Sequence, residues 1–113
     1  MKRLFTLILI LTSSLLLAQT PKIKLLQINS SWNLKNDLSN KVLPDTYMAY
    51  EIQIDHATLE HQSEHFQKGF AGKPLPILVL IIDGKRKYQW TADLSFKLRV
   101  TRKEIIDAIE RSL

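Results

Sequence analysis

Two short clusters carry side chains with chemical potential. His61-Gln62-Ser63-Glu64-His65 sets two imidazoles four residues apart, with a carboxylate between them. On a helix this spacing puts both histidines on one face, where two ring nitrogens can hold zinc while Glu64 takes a proton from bound water. The second cluster is Ser30-Ser31-Trp32-Asn33-Leu34-Lys35-Asn36, at the point where an apolar run gives way to helix-starting residues. Asn33 and Asn36, three apart, are carboxamides that donate and accept hydrogen bonds but carry no charge.

The histidine cluster spells H-x-x-E-H, the motif of inverted zinc peptidases, and His56 lies close in sequence. Such peptidases are far larger, and a catalytic zinc needs a third protein ligand and a cleft. Histidines on an exposed, weakly amphipathic helix are ordinarily solvated. Metal binding or metal-dependent activity at His61, Glu64 and His65 is therefore the alternative reading, and no cofactor is expected. Asp83 and Asp93 read as turn residues. Trp90 and Phe96 are candidates for an exposed aromatic patch, although Trp90 is expected in the core. The chain of 113 residues has no cysteine, so it has no thiolate of its own for nucleophilic or redox work.

Lys2 and Arg3 precede an apolar run over 4–11, and residues 15–18, Leu-Leu-Leu-Ala, close the segment. This layout predicts a signal peptide over 1–18, a short polar leader over 19–22 and a single domain over 23–113. The apolar part is short for a span of about 20 residues. Retention as an anchor, making a membrane-tethered accessory protein, is the rival reading; otherwise the protein is periplasmic or secreted. The formal charge is +5, with basic residues at Lys85, Arg86 and Lys87 and again over 97–103. Nucleic-acid binding is not expected from them, because lysines on a rim strand discourage pairing with other sheets.

The elements follow from periodicity. Residues 23–28 read as a strand. Leu34, Leu38 and Val42 at i, i+4 and i+8 predict a short helix that Asn40 and Pro44 end. Met48, Tyr50, Ile52 and Ile54 alternate with polar residues, which predicts a strand over 48–54. Asp55 is placed to cap a helix over 56–68, anchored by Leu59 and Phe66, with Gly69 at its stop. Residues 77–82, Ile-Leu-Val-Leu-Ile-Ile, need cover on both faces and predict a central strand. Asp83-Gly84 predicts a hairpin turn to a rim strand over 86–90. After an irregular stretch over 91–100, Thr101-x-x-Glu104 is a capping box opening a last helix with Ile105, Ile106, Ile109 and Leu113 on its apolar face. The order βαβαββα predicts an α/β sandwich with a central mixed sheet flanked by helices.

This order, with three local features, resembles the thioredoxin family over residues 23–113. "SSWNLKN" resembles that family's tryptophan and redox motif, with Asn33 and Asn36 at the cysteine positions. "EIQID" resembles the strand before the second helix. "LPILVLIIDGK" resembles the stretch after the family's cis-proline, with Pro76 in that role. The chain departs from the pattern in its short segment after Trp32 and its long 91–100 connection. The resemblance implies a thioredoxin-like sandwich, a cis Leu75–Pro76 bond, and a groove near Trp32, Asn33, Asn36, Leu75 and Pro76 for a protein or peptide partner. It also implies that Asn33 caps the helix where a redox member carries its reactive thiolate.

Overall fold

The computed structural model describes residues 20–113. The expected signal peptide over 1–18, and Gln19 of the leader, lie outside the described residues. Among the described residues, no helix is long and apolar enough to cross a membrane.

Five strands form one mixed sheet: β1 (Ile23–Asn29), β2 (Thr46–Tyr47), β3 (Tyr50–Thr58), β4 (Ile77–Ile82) and β5 (Lys85–Thr91). Their spatial order is β2-β3-β1-β4-β5. β1 runs parallel to β3 and antiparallel to β4, and β4 pairs antiparallel with β5. Two α-helices, α1 (Glu64–Lys68) and α2 (Arg102–Ser112), complete the α/β architecture.

β4 has neighbours on both edges and cover on both faces, as its unbroken apolar run requires. Leu78, Leu80 and Ile82 face a cluster that includes Ile23, Leu25 and Ile52 of the sheet and Ile105, Ala108 and Ile109 of α2. Ile77 and Val79 face the opposite way, onto Ile28, Phe70 and Leu75, with Leu59 and Phe66 packed against them. The hairpin after β4 turns on Asp83 and Gly84, both at positive φ (52° and 79°), the pair of left-handed residues that a two-residue turn of this hand needs. Asp83 also ties the turn to the start of β1: its N–H donates to the Lys22 carbonyl, and its carboxylate accepts from the Lys22 N–H. α2 opens on the expected capping box, with Thr101 Oγ1 accepting from Glu104 N–H and Glu104 reaching back to Thr101 N–H. Leu113, expected on its apolar face, is exposed.

Three expectations need correction. The helix expected through Leu34, Leu38 and Val42 is instead a 3-10 turn over Ser31–Asn36 followed by irregular chain. Asn33 sits at φ −120°, ψ 15° and breaks the helical path. Leu38 N–H, which a continuing helix would bond to a backbone carbonyl, goes instead to the Gln27 side chain (2.7 Å), and the Asp37 carboxylate accepts from Asn29 (2.7 Å). The helix expected over 56–68 shrinks to α1. His56, Ala57 and Thr58 remain in β3, because its parallel register with β1 runs on to the Asn29–Thr58 pair. Asp55 is accordingly no cap but a strand residue facing Lys24 (3.4 Å), and Ser63 caps α1 through Phe66 N–H. Met48, expected inside β3, is an exposed turn residue at φ 53° joining β2 to β3.

Leu80 is fully buried against α2. Truncation to alanine removes packed methyls and leaves a cavity, a loss of about 2–5 kcal/mol. Leu80→Ala is expected to lower the unfolding free energy measured in urea by that amount, whereas Leu94→Ala, at an exposed position, changes it by less than about 0.5 kcal/mol.

Candidate functional site

β1 ends in a run of buried polar residues: Gln27, Asn29 and Ser30, with Asn33 just beyond. Each buried polar group must find a partner or cost stability; Asn29, Ser30 and Asn33 bond to one another, and Gln27 bonds to His56 and to Leu38 N–H. Asn29 Nδ2 donates to the Asn33 carbonyl (2.9 Å) and to Asp37 (2.7 Å). Asn29 Oδ1 accepts from Ser30 N–H (2.9 Å) and from Asn33 Nδ2 (3.1 Å). Asn33 Nδ2 also meets two carbonyls distant in sequence, Leu75 O at 3.0 Å and Phe96 O at 3.3 Å, while Asn33 Oδ1 accepts from Asn36 Nδ2 (2.6 Å). Gln27 pairs with His56 across the strands (3.1 Å). Among the described residues, no buried side-chain nitrogen or oxygen lacks a partner.

Asn33 is therefore not a helix cap. Its amide fastens three segments together: the end of β1, the loop before β4, and the loop over 92–97. The Leu75–Pro76 peptide bond is cis. Leu75 and Pro76 lie buried beneath this junction, with the Leu75 carbonyl taken by Asn33 and the Pro76 carbonyl by Ala92 N–H (3.1 Å).

Above the junction is an open groove of about 440 Å³, lined by Trp32, Asn33, Lys35 and Asn36 on one side and Ser95, Phe96 and Lys97 on the other. Trp32 and Phe96 meet edge to face, with ring centroids 5.0 Å apart and planes at 89°. Phe96 is held at φ 61° in a tight turn whose N–H donates to the Asp93 carbonyl. The Asp93 carboxylate fixes the same turn through Ser95, Lys97 N–H and Arg99. The Ser95 hydroxyl above all, then Arg99, holds Asp93 well below the usual carboxylate range. On the far side, Glu60 accepts from Ser31 N–H (2.7 Å), and that bond, with the serine hydroxyls, lowers its pKa from 4.5 to about 2.

The structure thus brings Trp32, Asn33 and Asn36 to one groove and sets Leu75 and Pro76 under its floor. Lys35, Ser95 and Lys97 join them without having been singled out, and Phe96, expected as an exposed aromatic, joins them too. Phe96 pairs with Trp32 rather than with Trp90, which packs against the main core and stacks on Tyr88. An Asp-x-Ser turn at Asp93, just before the loop's one aromatic residue, was the available signal. His61 ends a 3-10 turn over Leu59–His61 and His65 lies in α1, so the two do not share one continuous helix. All three residues of that cluster, His61, Glu64 and His65, are exposed. No group of three or more histidine, cysteine, aspartate or glutamate residues is placed to hold a metal among the described residues. Depressions of about 870 and 620 Å³ flank the start of β1, away from this junction. Comparison with family models, with curated proteins and with solved structures found no match.

Two predictions follow from the junction. Asn33→Asp keeps the shape but replaces a donor facing three oxygens with an acceptor; the loss is expected to exceed the roughly 1–3 kcal/mol of an unmade buried hydrogen bond, with partial recovery as the carboxyl protonates in acid. Urea unfolding at neutral and acid pH measures both. Glu60, with its folded pKa below its ordinary value, contributes stability that is fully present above 4.5 and lost as pH falls toward about 2. Glu60→Gln is expected to flatten the acid limb of the stability–pH curve over that window, while Asp93, lowered in the same direction, continues to act beneath it.

Proposed function

We propose that the protein is an exported, thioredoxin-like module without redox chemistry, which binds a protein or peptide partner at the Trp32 groove. The observation that carries this reading is the corner at the end of β1. The exposed indole of Trp32 stands beside an amide, Asn33, that is bonded to the Leu75 carbonyl next to Pro76. The arrangement of β1, β3, β4 and β5, one parallel and two antiparallel pairings around β1 and β4, is consistent with it. A redox member needs a thiolate at this corner; this chain has no cysteine and fills the space with carboxamides. What remains is a preformed concave surface with an aromatic wall, the general form of a peptide site. The apolar segment over 4–11 supports export, to the periplasm or outside the cell.

In the insulin reduction assay with dithiothreitol, the protein is expected to add nothing to the blank rate. A pool of random decapeptides is expected to shift the Trp32 indole resonance and leave that of Trp90 in place, with Trp32→Ala abolishing the response. Turnover of insulin, or an indole signal indifferent to every peptide, defeats the assignment.

A further inference from the structure

Among the described residues, four of the seven exposed large apolar side chains come from two short segments: Trp32 and Leu34 from one, Leu94 and Phe96 from the other. Scattered singly, such residues need no explanation; paired segments flanking one groove do. The polar groups around them have one character. Lys35 and Lys97 line the groove from its two sides, and the Asn36 amide, which spends one hydrogen on Asn33, retains another. Carboxylates on the neighbouring segments are already engaged: Asp37 by Asn29, Glu60 by Ser31 N–H, and Asp93 by Ser95 and Arg99. The groove therefore offers two ammonium groups and an amide donor beside an aromatic wall, with no free carboxylate among its lining residues.

From this charge complementarity we propose that the groove selects an acidic peptide segment in which an aliphatic or aromatic side chain sits between carboxylates. The apolar side chain packs against the Trp32–Phe96 edge-to-face pair, and the flanking carboxylates meet Lys35 and Lys97. A single-stranded nucleic acid fits less well. The two rings stand at 89°, which leaves no flat paired slot for a base, and two lysines are few for a phosphate track. This inference rests on the peptide-binding reading above and adds the chemistry of the partner.

The test is fluorescence polarisation of three labelled decapeptides sharing a central Leu-Phe pair, flanked by aspartate, by serine or by lysine, with a labelled oligothymidylate as the fourth probe. The aspartate peptide is expected to bind about tenfold tighter than the serine peptide, the contribution of two exposed ion pairs. The lysine peptide and the oligonucleotide are expected not to bind. Added salt erases the advantage. The double variant Lys35→Glu, Lys97→Glu, whose changes lie on exposed side chains, is expected to reverse the preference toward the lysine peptide. Equal binding of all three peptides overturns the charge selection and leaves the peptide-binding reading standing. Silence from all three overturns both, and tighter binding of the oligonucleotide overturns the choice of partner.

Discussion

The side-chain amide of Asn33 is the fastening on which the groove end of the molecule depends. One nitrogen, fully enclosed, faces carbonyl oxygens from two loops, those carrying Leu75 and Phe96, that are 42 and 63 residues away in sequence. A charged group here would demand a counter-ion that the site does not provide, and an apolar one would orphan the Leu75 carbonyl. A carboxamide suits both needs because it is neutral and carries donor and acceptor on one short stem. The reciprocal bonds between Asn29 and Asn33 then fix which way each amide points. Buried polar networks of this kind raise specificity only when every member is satisfied, and this one is.

That fastening also explains why the groove exists at all. The 92–97 loop has few apolar anchors near its tip; Leu94, Phe96 and Lys97 are all exposed. It is held by hydrogen bonds: Ala92 to Pro76, Phe96 to Asn33, and the Asp93 carboxylate to its own turn. Trp32 follows Ser31, which Glu60 grips from the turn after β3. The two walls are thus positioned by polar contacts on a sheet whose own stability comes from elsewhere, from the two-sided burial of β4.

Features set by neighbours in sequence were legible before any coordinates. The aliphatic run of β4, the Asp83-Gly84 turn and the Thr101–Glu104 capping box each act within a few residues, and each appears as expected. Features set by remote partners were not. The tail of β3 follows the register of β1 at a sequence separation of 29, from Asn29 to Thr58, and no local pattern at His56-Ala57-Thr58 announces it. The lost first helix has the same origin, because Gln27 of another element takes the Leu38 N–H. At the site, Trp32, Asn33 and Pro76 could be singled out from their types and spacing. Phe96 could not be matched to Trp32, since that pairing depends on a turn built by Asp93.

Phe96 stands in a backbone conformation that suits glycine and disfavours a bulky residue by about 1–2 kcal/mol. Glycine would relieve that burden and keep the carbonyl that Asn33 holds, so structural economy alone argues against phenylalanine. Its presence carries that backbone cost and gives the groove the aromatic face that meets Trp32.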